Sequence, residues 1–287
     1  MELIAATRVA TAQQRSRAAR PYSEQLTGVI EDLAASGADI DHPLLRSVDK
    51  ATSVAFVACA GDRGLAGPYN AGIQKSTEAE IQAVRSSGGD YKLICVGRKV
   101  ADYFSFRGYE IEETFAGFTD APTYEDAREI ARKVRDLFDN GEVDQVDLIY
   151  TEFLSLGTQR PTVRRFLPLE STEVIASEGG GDTEAVASYS FEPSPEGVLT
   201  DLLPRYVEAR LFAALLDAAA SEHANRQRAM KAATDNAEEL IGQLSREMNR
   251  ARQESITTEI MEIVGGAEAL GSDADDAIDL EQLAQNI

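Results

Sequence analysis

The residues best placed to do chemistry form one glycine-rich turn, Gly61-Asp62-Arg63-Gly64-Leu65-Ala66-Gly67-Pro68-Tyr69-Asn70. It follows an apolar run and enters a helix-like stretch, which can aim backbone N–H groups at a phosphate. Its glycines fall at 61, 64 and 67, outside the dinucleotide spacing, and no Gly-Lys-Ser/Thr supplies a phosphate-gripping lysine. Pro68 contributes no N–H. The turn is read as structural or partner-contacting, with a Rossmann-like nucleotide-binding enzyme bearing helical arms as the alternative. His42 and His223 have no cysteine or second histidine at ligand spacing, so no metal is expected. No Gly-x-Ser-x-Gly or similar nucleophile motif appears, and neither a catalytic constellation nor a cofactor is expected. Arg226, Arg228, Arg246, Arg250 and Arg252 form a cationic cluster. They read either as ordinary helix-surface charge with i,i+4 pairing or as cations facing an acidic loop of a surrounding protein.

Composition narrows the partners. With 28 Lys+Arg against 49 Asp+Glu, the formal charge of −21 would repel a phosphate backbone, so no nucleic acid is expected. No apolar run approaches the 18 or so residues needed to span a bilayer, so membrane association would come only through partners. Cys59 and Cys95 close apolar runs that read as buried strands, which argues against a disulfide framework and fits a reducing compartment.

Positioning these residues falls mainly to the stretch from Leu199 to Val264, rich in Ala, Leu, Glu, Arg, Gln and Met. Pro204 suits a first helical turn, and the only later breaker is Gly242, so one continuous helix is predicted. About 65 residues would make a rod of roughly 100 Å. Leu240, Leu244, Met248, Ala251, Ile256, Ile260 and Ile263 form an apolar stripe that wants a partner helix, and Gly265-Gly266 is the predicted stop. The alanine-dense section from Ala209 to Ala237 either admits a close neighbour or simply favours helix. The predicted partner is the N-terminal helix, with Leu3, Ile4, Ala6 and Ala10, then Tyr22, Leu26, Val29, Ile30 and Leu33, on its apolar face and a kink or break at Pro21.

The middle alternates strand and helix. Strands are predicted at Ser53–Cys59, Leu93–Val96 and Val146–Tyr150, with Tyr109–Ile111 and Val163–Leu169 as shorter segments. Helices are predicted over Asn70–Ser87, Arg98–Phe106 and Tyr124–Phe138. The fold class expected is α/β plus coiled coil: an antiparallel coiled coil of the terminal helices around a central, Rossmann-like, mostly parallel α/β domain. The expected boundaries are 1–45 for the N-terminal helix, 50–175 for the α/β domain, 176–198 for a loop, 199–266 for the C-terminal helix and 267–287 for an acidic tail, either disordered or a short helix.

Two blocks carry a family resemblance. Ile256-Thr257-Thr258-Glu259-Ile260-Met261-Glu262-Ile263-Val264-Gly265-Gly266-Ala267 resembles the C-terminal signature of the gamma subunits of F-type ATP synthases. Met230-Lys231-Ala232-Ala233-Thr234-Asp235-Asn236 is close to a second block of that family. The glycine-rich turn resembles its Ser-Asp-Arg-Gly-Leu-Cys-Gly-x-x-Asn motif through Asp62, Arg63, Gly64, Leu65, Gly67 and Asn70, with Gly61 and Ala66 in place of Ser and Cys. Arg20-Pro21-Tyr22, Asp41-His42-Pro43-Leu44 and Phe191 look most like actinobacterial members. The resemblance implies a non-catalytic central rotor stalk at the cytoplasmic face of the bacterial cell membrane. Its implied partners are the alpha, beta and epsilon subunits and the membrane rotor ring of c subunits. By resemblance, Met1, Arg226, Gln253, Thr257 and Glu259 contact the catalytic subunits, and Tyr189, Phe191 and Glu192 contact the ring. Family members usually carry a further Arg- and Lys-rich stretch ahead of the position of Met1, so a misassigned start codon or a shortened second coil strand is also implied. A purely structural coiled-coil adaptor is a third reading.

Overall fold

A computed structural model describes residues 1–35, 43–45, 51–169 and 195–284. The chain divides into two compact units, Met1–Lys231 and Ala232–Ile287.

The first unit is built on a five-stranded sheet in the order β3-β2-β1-β4-β5. β1 (Ser53–Cys59), β2 (Asp90–Val96), β3 (Glu113–Phe115) and β4 (Gln145–Phe153) are parallel, while β5 (Gln159–Leu167) returns antiparallel along the β4 edge. The apolar run in β1 exists because both sheet faces are covered, as a parallel sheet requires. Ala55, Val57 and Cys59 join one core cluster, whereas Val54, Phe56 and Ala58 join the other. Helices α2 (Tyr69–Ser86) and α3 (Arg98–Phe106) supply Ile73, Ile81, Val100 and Phe104 to the second cluster. Helix α4 (Tyr124–Asp139) supplies Ile130, Val134 and Phe138 to the first. Its start is fixed by a capping box, in which the Asp126 N–H donates to Thr123 Oγ1 and the Thr123 N–H donates to Asp126 Oδ2 at 2.7 Å.

The cysteines lie in different clusters, on opposite faces of the sheet, so they cannot pair. Burial pushes both thiols up to about 12, which leaves them unreactive.

The predicted short strand at Tyr109–Ile111 lies instead at Glu113–Phe115. The chain first turns through Gly108, at φ +75°, and the backbone N–H groups of Tyr109 and Glu110 donate to the Phe104 carbonyl and the Tyr91 hydroxyl, so pairing with β2 starts later. The segment predicted from Val163 is the second half of edge strand β5.

Helix α1 (Glu2–Ala35) runs through Pro21 without a break. Within the first unit it runs antiparallel to the start of α5 (Pro195–Ala284): Ser16 Oγ donates to Asp217, Arg8 and His223 line one cavity, and Tyr22 and Pro204 line another. Leu26 is buried as expected, but over the first turns the buried face differs from the expected one. Ala5, Val9 and Ala12 are buried while Leu3 and Ile4 are exposed, because small side chains allow close approach to alanine-rich α5. Leu203, Tyr206, Val207, Leu211, Leu215 and Ala218 of α5 lie at helical spacing on the same core.

The second unit is the remainder of α5. Gly265-Gly266 does not end it; neither glycine has positive φ, and helix-forming Ala267, Glu268, Ala269 and Leu270 follow, so the helix continues to Ala284 through the acidic tail. The predicted seam is not closed here. Leu240, Leu244, Met248, Ile256, Ile260 and Ile263 are 44 to 72% exposed.

Candidate functional site

The C-terminal ends of β1 and β4, and the loop after β3, meet a short stretch of α5, Ser221 to Arg228. In an open α/β sheet that edge is where ligands bind. Here the protein's own helix occupies it.

The glycine-rich turn is rigid by construction. Asn70 Oδ1 accepts the Gly61 N–H at 2.9 Å, and its Nδ2 donates to the Arg63 carbonyl at 3.3 Å. Asp62 joins this turn to the loop after β3: its carboxylate accepts from the Gly117 N–H at 2.8 Å, from Thr119 through N–H and hydroxyl, and from the Arg98 N–H at 3.1 Å. Burial alone would raise the Asp62 carboxyl, but these donors outweigh it and hold it below the usual range. Gly67 takes φ +55°, suited to glycine, whereas Leu65 adopts φ 61° with its side chain 64% exposed. A non-glycine residue in that region stores strain of about 1 kcal/mol or more.

Helix α5 closes on this turn through Glu222, which is 1% exposed. A Cβ at Gly61 would fall 2.9 Å from its Cδ, so only glycine admits it. Arg226 bridges outward from there: Nη2 donates to Glu222 Oε1 at 2.5 Å and to the Gly64 carbonyl at 3.4 Å, and Nη1 meets His223 Nδ1 at 3.3 Å. Burial raises the Glu222 carboxyl against the pull of Arg226. Around this core, Ser221 Oγ donates to the Thr151 carbonyl at 3.0 Å and Arg228 Nη1 to the Gly157 carbonyl at 2.8 Å. His223 Nε2 lies 2.9 Å from the Asp120 carbonyl, and Asp120 pairs with Arg8 of α1 at 2.7 Å. Two turns of one helix are thus tied to β4, the β4–β5 hairpin, both loops and α1.

The residues singled out in sequence divide sharply. Asp62, Arg63, Gly64, Leu65, Gly67 and Asn70 come together with Arg226. Arg226 is buried with its guanidinium committed inward, while Arg228 is exposed and caps the hairpin. Met1 is 68% exposed at the start of α1. Gln253, Thr257 and Glu259 are exposed in the second unit, Thr257 Oγ1 donating to the Gln253 carbonyl at 2.8 Å. Arg250 pairs with Glu254 there at 2.8 Å. Tyr189, Phe191 and Glu192, with residues 176–194 of the predicted loop 176–198, lie outside the described residues. Sequence reasoning missed Glu222, His223, Thr119 and Asp120. Glu222 and His223 had a local signal, their i,i+4 and i,i+3 spacing to Arg226; Thr119 and Asp120 act across long sequence separations.

A family model described as ATP synthase matches residues 1–270. The ATP synthase gamma chain of Frankia casuarinae is 49% identical over 276 residues, covering 95% of this chain and 91% of its own length. That of Kineococcus radiotolerans is 46% identical over 276 residues, covering 95% and 90%. The central stalk of the Tetrahymena thermophila mitochondrial ATP synthase, from a central stalk/c-ring structure, shares the fold with a TM-score of 0.61 at 21% identity, over 82% of this chain and 97% of its own. With the sheet order, the turn and both sequence blocks in place, this chain belongs to the family of ATP synthase gamma chains, the central-stalk subunits of F-type ATP synthases.

Proposed function

We propose that this chain carries rotation from a proton-driven membrane ring to a ring of alpha and beta subunits, and takes no part in the bond chemistry of ATP. The observation that carries the proposal is the contrast within α5. Its Ser221–Arg228 stretch is bonded to the sheet's C-terminal edge, while its later residues present an uncovered apolar stripe. An exposed apolar stripe of this length marks a surface that other chains cover. Such a shaft acts by favouring different conformations of each catalytic subunit in turn, through contacts that differ between them. Gln253, Thr257 and Glu259, exposed on that stretch, are proposed to meet the catalytic subunits, as is Met1. Arg226 is proposed to serve the same contact through the turn it anchors. Tyr189, Phe191 and Glu192 are proposed to meet the polar loops of the ring, with the epsilon subunit beside the α/β domain. Attachment to the cytoplasmic face of the membrane would come through these partners; no helix among the described residues is long and apolar enough to cross a bilayer.

The test is co-expression with alpha and beta subunits and reconstitution with the membrane ring. The chain is expected to copurify with them, and Leu244→Asp is expected to abolish most proton-driven ATP synthesis while leaving the melting of the α/β body unchanged. Failure to copurify, or equal loss of synthesis and body stability, would overturn the proposal. Cross-links from Phe191 to the ring subunit test the lower contact.

A further inference from the structure

The partners of His223 fix its tautomer. The Asp120 carbonyl can only accept, so Nε2, 2.9 Å away, carries the hydrogen. The Arg226 guanidinium can only donate, so Nδ1, 3.3 Å from Nη1, is bare. We infer that neutral His223 is a positioning residue that steadies Arg226 on Glu222 and on the Gly64 carbonyl, and that a proton on Nδ1 releases Arg226 and unfastens the glycine-rich turn from α5.

The inference rests on geometry. A proton on Nδ1 replaces the only acceptor on the ring with a donor aimed at a cation. The groups facing the ring do not offset that change. On α5, Glu222 is engaged by Arg226 itself. From α1, Arg8 is paired with Asp120, and Arg15 lines the same cavity. From the loop after β3, Asp120 therefore has its carboxylate already matched, and from the turn after β1, Asp62 is saturated by backbone donors. A cavity of about 190 Å³ bounded by Arg8, Arg15, Asp120 and His223 gives a proton its path to a ring that is only 1% exposed. Burial lowers the proton affinity of His223, and Arg226 and Arg8 add to the lowering; the Asp120 carbonyl and carboxylate work the other way and do not outweigh them. A histidine with a depressed folded-state pKa contributes stability that is present above its unfolded value of about 6.5 and is lost as pH falls through the folded value.

The experiment uses the full chain alone, so it does not depend on the rotor reading. Ring 15N shifts of labelled histidine are expected to show the Nε2–H tautomer for His223 at pH 7.5, with a His42→Gln variant assigning the two histidines. Amide exchange across residues 61–67, corrected for intrinsic rates, is expected to rise several-fold, up to about tenfold, between pH 7.5 and pH 5.5. In His223→Gln the rise should vanish, because the Gln amide donates to the Asp120 carbonyl and its oxygen accepts from Arg226 at every pH. The opposite tautomer, an absent rise in the wild type, or an equal rise in His223→Gln would each overturn the inference. In the assembled complex, protons pumped per ATP hydrolysed should fall at pH 5.5 only when His223 is present. Failure to assemble would count against the rotor reading and leave the exchange result standing.

Discussion

Between Leu203 and Arg226, α5 buries one side at helical spacing at first and then, from Ala214 onward, every residue but Asp217, with Leu203, Val207 and Leu211 fully inside. Between Leu240 and Ile263 the same helix keeps an equally regular apolar stripe and exposes about half or more of most of its members. Helix propensity is alike in the two stretches, which is why one helix spans both; burial is decided by what the side chains allow to come alongside. In the first stretch Ala209, Ala214, Ala218, Ala219, Ala220 and Ala224 are buried, and small residues let α1 and the sheet approach closely. The second stretch carries bulky Leu, Ile and Met, which suit a partner that brings its own grooves.

The sharpest way to break this comparison is through its arginines. Arg226→Ala would leave Glu222 a buried carboxylate without its cation, an expected loss of about 3–5 kcal/mol in the first unit. Urea unfolding of the full chain followed by circular dichroism would measure it. Arg250→Ala, in an exposed i,i+4 pair, should leave the curve within error. Equal effects would mean that the two stretches are not differently packed. The leucines give a slightly smaller contrast. Leu211→Ala removes a fully buried side chain and should cost about 2–5 kcal/mol, whereas Leu244→Ala, with Leu244 54% exposed, should leave the stability of the isolated chain unchanged. A comparable loss at Leu244 would show that the stripe is already covered.

Much of the body can be read from sequence, because a strand buried on both faces must be apolar throughout and an amphipathic helix must repeat at 3.6 residues. Ser53–Cys59, Arg98–Phe106 and the start of α4 at Tyr124 agree with those rules. β3 was misplaced because Glu113 can sit in an edge strand once Lys133 pairs with it, a relation invisible locally. Gly265-Gly266 misled because glycine permits a helix stop without compelling one. The turn was recognisable as a motif, but its purpose was not. That Asp62 fastens the loop at Thr119 and that Glu222 needs the bare backbone of Gly61 depend on contacts 57 and 161 positions apart (119 − 62 and 222 − 61). Arg226 showed as a cation on a helix, and only its depth in the fold turns it from a surface charge into an internal tie.

Glycines sharpen the same comparison at smaller cost. At Gly61 an added methyl would sit 2.9 Å from both Cδ and Oε1 of Glu222. That side chain cannot swing aside without leaving Arg226, so Gly61→Ala should destabilise the first unit by about 1–3 kcal/mol. At Gly242 the nearest atom to an added methyl is Arg246 Nη1 at 3.7 Å, an ordinary contact on an open helix. There the backbone entropy of glycine is the only term left, and Gly242→Ala should favour the helix by about 1 kcal/mol. The gain should appear as stronger ellipticity at 222 nm on heating, with the body's own transition unmoved. A loss at Gly242 would require that a neighbour already packs against that helix face, and the division between a bound and a bare stretch of α5 would then fail at its midpoint.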